Sequence, residues 1–185
     1  MDFSAIFEAH YFSNHYRQAM ALEAKLERDD YPGRQCVTFS GLPALAVTVS
    51  LEMVDAASRL VEVSRRSSTC ATLDALNRFL QATGREGILK ATPQESLCWQ
   101  EELEGLADAD LLLVHQGRIK GMIMDLSDRH PMLASAAVFV TSDDALAEKV
   151  RWARSSYGRR APADIRVAAN GRFSEFQAAL LLTAL

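Results

Sequence analysis

The chain has only three cysteines, Cys36, Cys70 and Cys98, and none stands in a CxxC pair. That spacing excludes a disulfide framework and a zinc ribbon, and it sets up the expectation of a reduced, cytoplasmic protein. The opening run "MDFSAIFEAHYF" carries acids where a secretory leader needs a basic start, which supports the same expectation. No apolar run approaches the length of about 20 residues that crosses a bilayer, so a membrane protein is not expected. A basic surplus is missing too. Twenty Lys and Arg stand against 24 Asp and Glu, a formal net charge of -4, which gives phosphate backbones nothing to draw on and makes nucleic acid an unexpected partner. His115 and His130 lack companions at metal-ligand spacing and lie beside no obvious nucleophile, so both read as structural and no metal is expected.

What is present is an alternating pattern of helices and strands. With 49% hydrophobic and 24% charged residues over 185 positions, one domain with a real core is the default, spanning residues 1–185. "NHYRQAMALEAKLERD" puts Ala19, Leu22 and Leu26 on one helical face, and "DYPG" ends it at Pro32 and Gly33. "QCVTF" reads as a short buried strand, followed by a helix from Pro43 that is apolar nearly all round. "RLVEVS", "EGILKA", "ADLLLVH", "GMIMDLS" and "AAVFVT" read as further strands, with helices "CATLDALNRFLQAT" and "SLCWQEELEGL" between the first three. "TSDDALAEKVRWARSS" is a helix opened by Thr141 and Asp144, with Leu146, Val150 and Ala153 on one stripe. The last helix begins at Ser174, with Gln177 in the capping-box position. Strands alternating with helices predict an α/β fold, a three-layer α/β/α sandwich with a mainly parallel sheet.

The final stretch "ANGRFSEFQAALLLTAL" carries hardly a charge after its cap, and a helix apolar on every side must be covered. Phe173, Phe176, Leu180, Leu181 and Leu182 would otherwise form an apolar patch larger than monomers tolerate, so self-association is expected. "FSGLPALAV" sets a strand end, a small-residue turn and a helix N-terminus in sequence. There Ser40 and Gly41 either hold an anion or simply make a strand-to-helix turn. Lys90, Lys120 and Lys149 are the candidates for an aldehyde-binding lysine, and only Lys120 lies near a buried strand start. The runs Arg65–Ser68 and Gly158–Arg160 read as solvated loop charges.

"AAVFVTSDDALAEKVRWARSSYGRR" followed by "NGRFSEFQAALLLTAL" resembles the DegT/DnrJ/EryC1/StrS family of pyridoxal-phosphate sugar aminotransferases. Asn170, Arg172, Ser174, Glu175, Gln177, Ala178 and Ala179 match its motif in register. The resemblance implies the large domain of the aspartate-aminotransferase fold shared by fold-type I pyridoxal-phosphate enzymes, a dimer with sites at the subunit boundary, and a C-terminal small domain that is absent here. It also implies losses. The Schiff-base lysine falls on Arg129, and arginine stays protonated and forms no aldimine. The glycine-rich turn after that lysine reads Ala134, Ser135, Ala136 and Ala137. The phosphate turn keeps Ser40 and Gly41 but continues with Leu42 and Pro43, the latter lacking an N–H. No aromatic stands near Thr69 to stack on the cofactor ring, and the strand bearing the pyridinium-pairing aspartate is deleted. Asn170 matches the asparagine that reaches a neighbouring subunit's cofactor phosphate, although it can equally be a turn residue before Gly171. The expectation is therefore an aminotransferase-like pseudoenzyme with no catalytic residue and no bound cofactor. It would act as a binding or regulatory partner, in a homodimer or in a heterodimer with a full-length homologue. One alternative is an active pyridoxal-phosphate aminotransferase whose lysine has moved to Lys120; another is a truncated fragment without independent function.

Overall fold

The computed structural model describes residues 17–52, 58–63, 70–82, 84, 86–102, 108–133, 135–154 and 171–185. Six strands form one sheet: β1 Gln35–Phe39, β2 Ser58–Glu62, β3 Leu89–Lys90, β4 Leu111–His115, β5 Arg118–Asp125 and β6 Ala137–Thr141, in the order β1-β6-β5-β4-β2-β3. The helices are α1 Arg17–Lys25, α2 Leu42–Glu52, α3 Cys70–Ala82, α4 Pro93–Glu102, α5 Asp144–Arg154 and α6 Glu175–Ala184.

The protein is thus mixed α/β, but the expected mainly parallel sheet is corrected by the pairing. Only β2 and β3 run parallel; β1–β6, β6–β5, β5–β4 and β4–β2 are all antiparallel. The reason lies in the connections. A parallel neighbour needs a crossover of a dozen residues or more, whereas β4 and β5 are joined by Gln116 and Gly117 alone. Both of these residues have positive φ, 50° and 76°, the backbone of the tight turn whose twist suits a hairpin. The alternation rule nonetheless holds for the strands that lead into helices. β1, β2 and β3 point the same way, with β4 and β6 running back between them.

Strand residues alternate between two hydrophobic clusters, one on each face. Val37, Phe39, Leu111, Leu113, Ile123 and Phe139 pack with Leu45 of α2, Leu76 of α3 and Val150 of α5. On the other face Cys36, Leu112, Met122, Met124, Val138 and Val140 pack with Leu22 of α1, Trp99 of α4 and Leu181 of α6. The predicted stripes are buried as expected: Ala19, Leu22 and Leu26 in the first helix, and Leu146, Val150 and Ala153 in α5. One cap is reassigned. The Asp143 side chain, not Thr141, accepts the Leu146 N–H at the start of α5, because the Thr141 hydroxyl is donated to the Lys120 carbonyl across the sheet.

The apolar last helix finds much of its cover within the chain. α6 lies against α1, and Phe173, Ala178 and Leu181 are fully buried. Ser174 caps the helix through the Gln177 N–H, as the motif predicted. Glu175 turns back to accept the N–H groups of Gln18 and Ala19, placing a carboxylate on the positive end of α1. The expected five-residue apolar patch is corrected accordingly. Phe173 and Leu181 belong to the core, Leu180 and Leu182 are half-buried, and Phe176 remains exposed.

β1 is an edge strand, and its outward backbone groups are occupied by charged side chains. The Glu27 carboxylate accepts the Cys36 N–H at 2.8 Å, while Arg151 donates to the Cys36 carbonyl. One step along, Glu23 accepts the Thr38 N–H at 2.8 Å and Arg154 donates to the Thr38 carbonyl at 2.7 Å. Glu23 and Arg154 also pair directly at 2.7 Å, and both are buried. The Arg154 guanidinium further sits 5.9 Å from the centre of the Phe39 ring. Gly171 completes the row by accepting the Ser40 N–H. Burial, followed by the nearby Glu27 and Glu23 charges, pushes the Cys36 thiol up and keeps it neutral.

Truncating one member of a buried ion pair strands the other's charge, at a cost of about 3–5 kcal/mol. Glu23→Ala is therefore expected to lower unfolding free energy by that order. Arg28→Ala, which breaks only an exposed pair with Asp29, should leave stability nearly unchanged. Urea denaturation of the two variants checks the contrast; equal losses would refute it.

Candidate functional site

β1, β2, β3 and β5 point the same way and end at one edge of the sheet, where β1 delivers Ser40 and Gly41. Gly41 is buried, and a Cβ built on it would collide with the Ser135 hydroxyl. Ser135 is held in place, since its carbonyl accepts the Gln177 side-chain N–H at 2.8 Å. The turn that sequence reading offered as an anion cradle is therefore packed closely by the chain's own β6 approach. Leu42 behind it is buried and Pro43 is exposed.

Arg129 reaches the same end of the sheet from β5, on the short helical turn Ser127–Arg129. That turn is built by Asp125, which accepts from the Ser127 N–H and hydroxyl, and by Ser127, which accepts the Ala136 N–H. Arg129 is exposed and lines a cavity of about 560 Å³. One side of the cavity is residues 26–34, where α1 widens into a looser last turn and closes with the Tyr31 N–H on the Leu26 carbonyl. Asp108, Leu126, Arg129 and Leu185 complete the lining. Tyr31 crosses the sheet face to donate its hydroxyl to the Met124 sulfur at 2.9 Å. Burial, then the Asp108 and Asp30 charges, push the Tyr31 phenol up to about 12, with Arg129 acting in the opposite sense. Asp29 on the rim is already engaged by Arg28 and Lys25, which hold its carboxyl at about 2.

Lys120 is not brought to this end. It is the extra residue of a bulge, because Leu113 pairs with Gly121 and Val114 with Ile119. Its carbonyl meets Thr141, at the far end of β6 from Ala137 and Phe39. Five residues of strand, about 17 Å, therefore separate Lys120 from the level of Ser40, and Gly41 lies one residue further. Lys90 ends the other edge strand and Lys149 sits on α5. Asn170, Thr69, Arg65–Ser68 and Gly158–Arg160 lie outside the described residues.

Two groupings escaped sequence reading. The Ser58 hydroxyl lies 2.8 Å from His115 Nδ1, so that histidine does have a serine neighbour, supplied by the β2–β4 pairing across 57 residues of sequence. His130 accepts the Met132 N–H and is local. The cavity itself was hidden because "DYPG" signals only a chain break. Among the described residues no three His, Cys, Asp or Glu side chains gather as a metal site, and no helix is long and apolar enough to cross a membrane.

Two outcomes follow from this geometry. Gly41→Ala should destabilise the fold by about 1–3 kcal/mol through overpacking, and adding Ser135→Gly should recover most of that loss. Additive losses in denaturant titrations would refute the close approach. For Tyr31, a folded-state value raised above the ordinary 10 means that stability is fully present below pH 10 and falls as pH rises from 10 towards 12. Tyr31→Phe should flatten that fall; an unchanged slope would count against it. No protein family, curated protein or solved structure compared with the chain matches it.

Proposed function

We propose that the chain is an aminotransferase-like pseudoenzyme of the DegT/DnrJ/EryC1/StrS type, a reduced large domain that binds or regulates a partner and carries out no transamination. The observation that carries this reading is the closed turn at Gly41 beside a lysine register occupied by Arg129. The residues do not fit a covalently held pyridoxal phosphate. The Ser135 hydroxyl abuts the glycine of the phosphate turn, Pro43 offers it no N–H, and the guanidinium at position 129 is no amine nucleophile. The displaced-lysine alternative draws no support from Lys120, which stands about 17 Å of strand from that turn.

A cytoplasmic setting and a dimeric partnership complete the reading. The exposed Phe176 on α6 favours a partner, either a second copy or a full-length homologue, and the bonds of Glu175 to α1 and of Gln177 to Ser135 give α6 a fixed pose to present.

Incubation with excess pyridoxal phosphate, borohydride reduction and peptide mass mapping test the proposal. The expected outcome is scattered, substoichiometric labelling of surface lysines. A stoichiometric adduct on a single lysine would overturn it, and an adduct on Lys120 would establish the active alternative.

A further inference from the structure

The lining of the cavity beside Arg129 combines apolar side chains with charges of both signs. Leu26 and Leu126 contribute buried side chains to it, and the half-buried Tyr31 ring lies between them in its lining. Its size falls within the 300–1,000 Å³ typical of small-molecule sites. Asp30 stands on the α1 side and Arg129 on the β5 side. Among the described residues neither side chain makes a hydrogen bond or an ion pair, and both line this one cavity. The neighbouring charges do not upset this balance. Asp29 is neutralised by Arg28 and Lys25, and the lining also holds Arg34 and Asp108, one charge of each sign. A simple anion would meet Asp30 and Asp108, and a simple cation would meet Arg34 and Arg129. A molecule bearing one charge of each sign, separated by an apolar stretch, satisfies both rims and covers the floor.

We propose that this cavity binds a small zwitterion non-covalently, with its anionic end on Arg129, its cationic end on Asp30 and its apolar middle over Leu26 and Leu126. Arg129 suits the first role because its planar fork gives two parallel hydrogen bonds to a carboxylate. Tyr31 forms the floor between the charges, with its hydroxyl turned down onto the Met124 sulfur.

The probe is 6-aminohexanoate, compared with hexanoate and hexylamine, which keep the chain and lose one charge each. Calorimetric titration is paired with amide chemical shifts. The zwitterion is expected to bind at least about tenfold more tightly than either analogue, the loss expected for removing one charge-assisted contact. Shifts should centre on Tyr31, Leu126 and Arg129. Arg129→Gln should bring the zwitterion to the affinity of hexylamine and leave hexylamine unchanged. Asp30→Asn should bring it to the affinity of hexanoate. Arg118→Gln, on the distant hairpin, should change nothing. Equal binding of all three compounds, no binding of any, or wild-type affinity in both cavity variants would overturn the proposal. The wild-type comparison decides without any variant. It is also independent of the borohydride experiment, because a lysine adduct would remove the pseudoenzyme reading and leave these charge requirements as they are.

Discussion

Two carboxylates and two guanidiniums stand where a seventh strand would otherwise lie. Glu27 with Arg151, and Glu23 with Arg154, reproduce on the outer side of β1 the donors and acceptors that β6 supplies on its inner side. An open edge of this kind is an invitation to aggregation, and proteins usually blunt it with charge, proline or a bulge. Here the charges do not point away from the edge; they bond to it. Because Glu23 belongs to α1, Glu27 to the looser turn that continues it and both bases to α5, satisfying one strand also fixes one helix from each face of the sheet. The pose of α1 then determines that of α6, through the Glu175 carboxylate on the α1 N-terminus and the shared packing of Leu22 and Leu181. Gln177 of α6 in turn holds Ser135 against Gly41. The closed turn at the end of β1 is thus the last link of a chain that starts with four charged residues.

This arrangement also accounts for the odd character of the terminal helix. Its mean composition reads as fully buried, yet only one face is, since Ala178 and Leu181 turn inward and Phe176 turns out. α1 offers a partner of matching pattern, and its own buried residues Ala19, Leu22 and Leu26 recur at the spacing that lets two helices share a stripe.

Sequence reading located the elements well where a single period dominated. The faces of the first helix and of α5, the strands "QCVTF" and "AAVFVT", and the Ser174 cap all stand where hydrophobic spacing and cap chemistry put them. Strand direction was not legible from that pattern, because it depends on which strands become neighbours, and β4 and β6 insert themselves between strands that precede them in the chain. The one local clue was "QG" between "LLLVH" and "RIKGMIMD", a two-residue gap that only a hairpin can bridge. The edge ladder hid in plain view. Glu23 and Glu27 are four apart and Arg151 and Arg154 three apart, a spacing that reads as ordinary solvated helix charge until the two helices meet across β1. At the candidate site, Ser40, Gly41 and Arg129 lie at one end of the sheet. Tyr31 and Asp30 were missed because their roles arise from residues nearly a hundred positions away.

The two-residue hairpin has a further consequence, for the order in which the molecule assembles. β4 and β5 can pair as soon as residues 111–125 exist, because closing so short a loop costs little entropy and takes microseconds. The β1 edge is the opposite case. Thr38 and Arg154 lie 116 residues apart, and Glu23 and Arg154 lie 131 apart, so nearly the whole chain must be present before the ladder can close. A chain of this topology is expected to nucleate in its middle and zip outward to its termini, with an unsealed strand edge exposed throughout the interval. Only the docking of α1 and α5 on β1 ends that exposure.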